Sequence, residues 1–209
     1  FFNGIYEQGD HEYPCKFKGF SESWTFMVNG LDWLYTRVKL DGEQLDLATC
    51  QCEDFVRRID MRRGILERSF VWQTASGRQL QLTFERFLSM VDSSVGAQRI
   101  SFEPLNFNGQ VELTCGMDFG TLYHRLNRRP WQIIRQERSA EGWQSALGQV
   151  ASSGHRAFGA YRLSGDGAAS AVSFREERVF GSRLHVPVQE GSASVVDKLV
   201  VLHAEKDRR

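Results

Sequence analysis

The chain has 209 residues and balances 26 basic against 26 acidic side chains, so its formal net charge at pH 7 is zero. A protein that holds nucleic acid mainly by its phosphates carries a basic excess, and this balance argues against a nucleic-acid partner. The sequence contains no apolar run of about 18 residues, the length that a membrane-spanning helix needs, so we expect no membrane partner either.

The four cysteines do not form a metal-binding pattern. Cys50 and Cys52 are separated by one residue, Cys15 and Cys115 stand alone, and no histidine lies at zinc-finger spacing from them. Zinc sites of that kind use C-x-x-C pairs or closely spaced histidines. We therefore predict no metal site and no cofactor, with free thiols in a reducing, cytoplasmic environment.

Apolar and polar residues alternate with a period of two along the first half of the chain. Asp41-Gly42 stands between alternating flanks and predicts a tight β-hairpin turn. Gly64 predicts a turn between two strands, because a residue without Cβ adopts left-handed backbone angles at little cost. In residues 79–89 the alternation places Leu80, Leu82 and Phe84 on one face of a strand.

The second half continues the same pattern. Asn108-Gly109 predicts another hairpin, and residues 140–154, interrupted by three glycines, predict a loop between strands. No segment predicts a long amphipathic helix. Further strands are predicted at 66–73, 131–138, 157–163, 172–178, 183–188 and 195–203. Many short strands separated by turn signals predict an all-β fold, an antiparallel sandwich.

Residues 57–72, RRIDMRRGILERSFVW, are rich in arginine and support two interpretations. One is a basic surface with aromatic side chains for a phosphate-rich partner. The other is a set of strand charges paired with acids, which strand alternation favours because it divides the arginines between two faces. We therefore expect Arg57, Arg62 and Arg68 to pair with Asp60, Glu67 or acids on neighbouring strands. Loss of the Asp60 carboxylate should then cost about 1–3 kcal/mol of stability.

Residues 28–33, VNGLDW, form the best sequence candidate for contact with a sugar. A tryptophan stacks on the apolar face of a sugar ring, and Asn or Asp side chains bind its hydroxyl groups. Trp33, Asn29 and Asp32 have this combination. The alternative is that Trp33 packs beneath an adjacent strand, and the residue pattern alone does not separate the two.

No residue of the chain is predicted to be catalytic. The sequence has no G-x-S-x-G, Walker A or dinucleotide-binding motif, and its five histidines are scattered. Hydrolysis of a glycoside requires two carboxylates that flank the sugar. Asp32, Asp60 and Asp118 are better explained as turn, capping or arginine-paired residues.

Several segments carry recognisable motifs in a fixed order. RRIDMRRGILER is similar to R-x-L-D-[ML]-R-x-G-x-L-x-R, VNGLDW resembles V-N-L-P-[ND]-W, and LDGEQLDL is similar to V-D-G-E-x-[FL]-x-L. NGIYE precedes them, and ERFLSM, RISFEPLNFNGQVEL and CGMD follow. Together, over residues 1–120, they resemble the N-terminal β-sandwich domain of glycoside hydrolase family 65, the maltose, trehalose and kojibiose phosphorylases. The motif residues in register, for which a structural role is implied, are Arg57, Asp60, Arg62, Gly64, Arg68 and Asp118. Leu31, Ser94 and Phe119 depart from the family pattern, which has Pro, His and Gly there.

The resemblance implies a galactose mutarotase-like super-sandwich of antiparallel strands that fills residues 1–209 as a single domain. It also implies that catalysis belongs to an (α/α)₆ barrel that follows in a longer enzyme and is absent from this chain. In that barrel a glutamate acts as general acid and phosphate attacks the anomeric carbon with inversion.

The expected role is therefore that of a non-catalytic domain that packs on its own barrel, shapes one rim of the cleft through Asn29, Asp32 and Trp33, and helps to form a homodimer. The parent enzyme would phosphorolyse an α-linked glucose disaccharide, with inorganic phosphate as co-substrate. A parent that hydrolyses α-glucosides and a stand-alone carbohydrate-binding module remain alternatives. An accessory domain predicts an exposed apolar or arginine-rich patch, whereas a binding module predicts a groove with exposed tryptophans.

Overall fold

The computed structural model of the protein describes residues 5–10, 18, 19, 21, 23–122 and 127–205. Cys15 and the first two residues of NGIYE lie outside these ranges. The described residues form fifteen strands: β1 Tyr6–Asp10, β2 Ser23–Met27, β3 Thr36–Leu40, β4 Glu43–Gln44, β5 Gln51–Asp60, β6 Ile65–Gln73, β7 Gln79–Leu88, β8 Val95–Pro104, β9 Gly109–Asp118, β10 Trp131–Arg138, β11 Gln144–Val150, β12 Arg156–Gly165, β13 Val172–Arg175, β14 Val179–Val188 and β15 Ser194–Ala204. A short 3₁₀ helix, Ala168–Ser170, precedes β13.

The strands form a large sheet, a small sheet and a two-stranded ribbon. The large sheet has the order β10-β11-β12-β15-β8-β7-β6-β5, the small sheet has the order β13-β14-β9-β3-β4, and β1 pairs with β2. Every strand pairing is antiparallel. The predicted all-β antiparallel fold without long helices is confirmed. No helix in the described part of the chain is long and apolar enough to cross a membrane.

The core lies between the large and small sheets. Leu80, Leu82 and Phe84, the predicted inner face of β7, are buried there, and they pack in a cluster with Val38 and Leu113 of the small sheet. A second cluster, around Trp131 and Phe119, fills the other end of the sandwich. Because each sheet buries one face, every second residue of its central strands is apolar, which is the pattern visible in the sequence.

Two of the three predicted turns form as expected. Asp41 and Gly42 have φ values of 54° and 81° and join β3 to β4, and Gly64, at φ 66°, closes the turn between β5 and β6. The Asn108-Gly109 hairpin is wrong, because β8 belongs to the large sheet and β9 to the small one. The Asn108 side chain instead accepts a hydrogen bond from the Glu190 amide at 2.8 Å. This segment therefore carries the chain across the sandwich.

The predicted loop over residues 140–154 is also wrong, since Gln144–Val150 is β11. Its inward residues are Ala146, Gly148 and Val150, which are small and weaken the apolar signal of the strand. The Phe119 ring explains the smallest of them, because a Cβ built on Gly148 would lie 2.2 Å from Cε1 of Phe119. Gly148 thus makes room for the aromatic ring that stands where the family pattern has glycine.

Candidate functional site

The β5–β6 hairpin, which contains the arginine-rich motif, has a different charge pairing from the one predicted. Oδ1 of Asp60 accepts the backbone amides of Arg62 and Arg63, both at 3.0 Å, so Asp60 caps the turn and does not pair with a buried guanidinium. The ion pair of this hairpin joins Arg58 and Glu67 at 3.0 Å. The register explains the difference, because Arg58 stands opposite Glu67.

Arg57 and Arg68 face each other across the same two strands, on the face that looks toward the small sheet. Arg86 of β7 joins them, since its neighbour across the strands is Leu66, two residues from Arg68. The three guanidinium-bearing side chains line one cavity of about 340 Å³ between the sheets, which we call the arginine pocket. Leu45, Leu47, Leu66 and Phe84 supply its apolar walls, and Thr36 and Gln98 supply neutral polar groups.

Two aromatic rings hold the innermost guanidinium of the pocket. The carbon of the Arg68 guanidinium lies 4.8 Å from the ring centre of Phe84 and 5.9 Å from that of Phe70. Its Nε atom is buried and makes no hydrogen bond with any described residue. Burial lowers the pKa of Arg68, and the positive charges of Arg86 and Arg57 lower it further. The pocket therefore concentrates positive charge at low local polarity.

A second feature, the apolar end surface, lies beside the arginine pocket. It consists of Ile59, Met61, Leu88 and Met90, which are 58%, 85%, 62% and 97% exposed, together with the partly buried Trp33. These residues line a depression of about 520 Å³ at the tips of the β5–β6 and β7–β8 hairpins. A cluster of long apolar side chains with this exposure marks a surface of interaction rather than ordinary solvent contact.

The sequence candidates Asp32 and Trp33 lie at the edge of these two features. The Asp32 carboxylate is exposed, accepts the Leu34 amide at 2.9 Å and raises the pKa of Arg86 by its charge. The Trp33 ring packs with Leu88 over Gly96. Part of the Trp33 ring thus packs on a strand and part lines the depression, and contact of Trp33 with a sugar stays a prediction.

Asn29 is separated from that edge by its own hydrogen bonds. Its side-chain amide donates a hydrogen bond to the backbone oxygen of Leu122 at 3.2 Å. Its backbone carbonyl accepts a hydrogen bond from Nε1–H of Trp131 at 2.7 Å. Asp118 lies nearby at the end of β9, where its backbone exchanges two hydrogen bonds with that of Asp32. These contacts set the path of residues 29–32, and they leave the Asn29 amide engaged with protein.

Lys198 holds the end of this segment, at Trp33, from inside the sandwich. Its ammonium group, in a side chain that is 1% exposed, donates to the Trp33 carbonyl at 2.6 Å and to the Gly116 carbonyl. Burial lowers the pKa of Lys198 to about 8. The sequence reasoning missed both Lys198 and Arg86. Lys198 lies two residues after the buried Val196, and Arg86 lies two residues after the buried Phe84, so both occupy inward positions of alternating strands. A cation at an inward position is the sequence signal that could have revealed them.

Within the described residues, no group of three His, Cys, Asp or Glu side chains is placed to hold a metal ion. The Sγ atoms of Cys50 and Cys52 lie 2.9 Å apart as free thiols, and burial raises the pKa of Cys52 to about 12. Cys115 is buried in the core. Burial also raises the pKa of Cys115, so Cys52 and Cys115 lack the low pKa that makes a cysteine a good nucleophile.

The whole chain, residues 1–209, matches the family described as glycosyl hydrolase family 65, N-terminal domain. The chain belongs to this family. The match extends the resemblance seen over residues 1–120 through β10–β15.

The relatives of this family-65 domain are much longer proteins. It is 29% identical to the α,α-trehalose phosphorylase of Thermoanaerobacter brockii over 118 residues, which cover 56% of this chain and 15% of that protein. It is 33% identical to the kojibiose phosphorylase of the same organism over 92 residues, 44% of this chain and 12% of that protein. A solved structure described as a putative kojibiose phosphorylase from the human microbiome matches with a TM-score of 0.88 and 20% identity. The match covers 100% of this chain and 27% of that longer chain. That likeness establishes the fold.

Proposed function

We propose that this chain is the non-catalytic N-terminal domain of an enzyme that cleaves an α-linked glucose disaccharide by inverting phosphorolysis. Catalysis then takes place in an (α/α)₆ barrel outside residues 1–209, with inorganic phosphate as co-substrate. Family membership supports this proposal, as do the names of the relatives, which are α,α-trehalose and kojibiose phosphorylases. A parent enzyme that hydrolyses α-glucosides is the alternative, and the product of the reaction distinguishes the two.

The apolar end surface is the observation that carries the proposed supporting role. Ile59, Met61, Leu88 and Met90 are each more than half exposed and lie together at one end of the large sheet. Covering such a cluster removes apolar area from water, at a gain of about 25 cal/mol per Å². The barrel is the proposed cover. Residues at the edge of this surface, Asp32 and Trp33, would then lie on the rim of the catalytic cleft.

Asn29 contributes to that rim by position. Its hydrogen bonds to Leu122 and Trp131 fix the backbone that leads to Asp32 and Trp33. The proposed role of Asn29 is therefore to orient the sugar-facing residues, while the Asp32 carboxylate and the exposed part of the Trp33 ring would meet the substrate.

We also propose that the domain contributes to a homodimer of a cytoplasmic parent enzyme. β5 is an edge strand with two exposed apolar residues, Phe55 and Val56, and a second copy covers an edge of this kind readily. The free thiols Cys50, Cys52 and Cys115 support a reducing compartment. Light scattering on the full-length enzyme tests the dimer, and Phe55→Lys should shift it toward monomer.

The tryptophans support a carbohydrate-binding module less well. A module of that class presents exposed aromatic rings in a groove. Here all five tryptophans are described, and each is partly or fully buried: Trp24, Trp33, Trp72, Trp131 and Trp143.

The reaction is tested by comparing the full-length enzyme with the 209-residue chain. Each is incubated with maltose, trehalose or kojibiose, with and without phosphate, and glucose and glucose 1-phosphate are measured. We expect phosphate-dependent β-glucose 1-phosphate from the full-length enzyme alone. Glucose release without phosphate establishes the hydrolase alternative, and any glucose 1-phosphate from the 209-residue chain refutes the non-catalytic role.

The docking role is tested by Ile59→Lys and Met61→Lys, made both in the 209-residue chain and in the full-length enzyme. Solvent-exposed positions tolerate such changes within about 0.5 kcal/mol, so the melting temperature of the 209-residue chain should barely move. In the full-length enzyme the same changes bury a charge against the barrel and should lower stability and activity. Val172→Lys, at an apolar residue that is 68% exposed on β13, is the matched control. Equal behaviour of all three variants in both proteins argues against docking at this surface.

A further inference from the structure

The arginine pocket holds three positive charges on one face of three adjacent strands. Arg57 of β5 lies directly opposite Arg68 of β6. Arg86 of β7 lies opposite Leu66, two residues from Arg68 on the same face. Like charges that face each other across strands destabilise a sheet. The arrangement therefore costs stability unless something negative compensates it.

The described residues do not provide that compensation. None of the three arginines forms an ion pair or a hydrogen bond to a carboxylate within the described ranges, and the buried Nε of Arg68 has no hydrogen-bond partner there. Two acids of the large sheet form their ion pairs on the opposite face, where Glu67 of β6 pairs with Arg58 and Asp197 of β15 pairs with Arg99. Glu85 contributes to the pocket wall, but it follows Phe84 on β7 and its charge acts on Arg99.

One carboxylate, that of Asp32, acts on the pocket from its edge. It raises the pKa of Arg86, although burial and Arg57 together still lower that pKa overall. The Asp32 carboxylate also accepts a hydrogen bond from the Leu34 amide, which holds this carboxylate against its own backbone segment. The three arginines therefore outnumber the two carboxylates, of Glu85 and Asp32, that lie in the pocket wall or at its edge.

The pocket is preorganised for a ligand. Phe84 and Phe70 support the Arg68 guanidinium, so its position does not depend on an anion. A guanidinium presents a planar fork of N–H donors that matches the oxygens of phosphate or carboxylate. The cavity of about 340 Å³ also holds apolar walls and the polar groups of Thr36 and Gln98, which leaves space for a group attached to the anion.

We propose that Arg57, Arg68 and Arg86 form a binding site for a phosphate dianion, either inorganic phosphate or a phosphate monoester. Three guanidinium groups offer more N–H donors than the two oxygens of a carboxylate accept, and they match the oxygens of a phosphate dianion better. The site lies within this chain, between its two sheets, so the proposal does not depend on the chemistry of the parent enzyme and its test reads no catalytic activity.

Isothermal titration calorimetry of the 209-residue chain tests the site at about pH 7.5, with ionic strength held constant by sodium chloride. The probes are inorganic phosphate, glycerol 2-phosphate and acetate. Arg57→Gln is the principal variant, because Arg57 is exposed and its loss leaves the core intact. Arg58→Gln is the matched control, since it removes the adjacent arginine of the same strand, which points to the other face.

We expect saturable phosphate binding, weakened about tenfold or more by Arg57→Gln and unchanged by Arg58→Gln. Arg86→Gln should weaken it similarly. Tighter binding of glycerol 2-phosphate than of inorganic phosphate identifies a monoester as the ligand, and the reverse order identifies free phosphate. Absence of binding at about 10 mM phosphate, equal loss in the Arg57 and Arg58 variants, or acetate that binds as tightly as phosphate would each overturn the proposal.

Discussion

Lys198 provides the sharpest test of the fold, because its ammonium group lies inside the sandwich. The side chain leaves β15 between Val196 and Val200, and its Nζ donates to the carbonyls of Trp33 and Gly116. One cation thus ties the large sheet to the small sheet and to the segment that precedes β3. Lys198→Met keeps much of the apolar stem and removes the charge.

The expected effect of pH follows from the direction of the pKa shift. Burial lowers the pKa of Lys198 from 10.5 to about 8, against smaller opposing effects of Cys115 and Asp32. Below pH 8 the amine is protonated in both states, and the folded state carries the cost of burying it. Between about pH 8 and 10.5 the unfolded chain binds more protons than the folded chain, so this group makes stability rise with pH. The shift corresponds to at most about 3 kcal/mol.

Urea denaturation of wild type and Lys198→Met from about pH 7.5 to 10.5 measures this contribution. The comparison is necessary because burial raises the pKa of Cys115 and of Tyr161, and both groups make stability fall as pH rises over this range. We expect the free energy of unfolding of wild type, minus that of the variant, to increase with pH. A difference that stays constant would refute the lowering of the Lys198 pKa by burial.

Three further substitutions test local features by urea denaturation. Asp60→Ala removes the acceptor for two turn amides and should cost about 1–2 kcal/mol, with Asp60→Asn losing less; equal losses would show that the cap is not the cause. Gly148→Ala should cost about 1–3 kcal/mol, because its Cβ would overlap the Phe119 ring, and Phe119→Leu in the same chain should recover part of the loss. Gly64→Ala should cost about 1 kcal/mol at its φ of 66°, and no loss would show that the turn relaxes freely.

Strand alternation carried most of the fold prediction. The inward positions of β7, Leu80, Leu82 and Phe84, are visible in the sequence because a half-buried strand repeats every two residues. Turns that need left-handed backbone angles, such as Asp41-Gly42 and Gly64, are visible for the same local reason. What local pattern could not show is which sheet a strand joins. Asn108-Gly109 carries the composition of a hairpin turn and nevertheless links two sheets.

The prediction of β11 failed because its inward residues are small for a reason that lies far along the chain. Gly148 faces Phe119, which fills the space that a larger residue on β11 would occupy. Phe119 looked in the sequence like a departure from the family pattern, and Gly148 looked like a strand breaker. The two anomalies compensate each other in space, and neither can be understood alone.

The charges of the β5–β6 hairpin illustrate the same limit at the candidate site. Alternation correctly separates Arg57 from Arg58, but the register between strands decides which acid each one meets. That register pairs Arg58 with Glu67 and sets Arg57 against Arg68. A pairing of acids with arginines along the sequence therefore predicted a neutral hairpin, whereas the folded hairpin pairs Arg58 with Glu67 on its outer face and sets Arg57 beside Arg68 on its inner face. The cationic face is the one that looks into the sandwich, where uncompensated charge costs most, and this is the physical reason to expect an anion there.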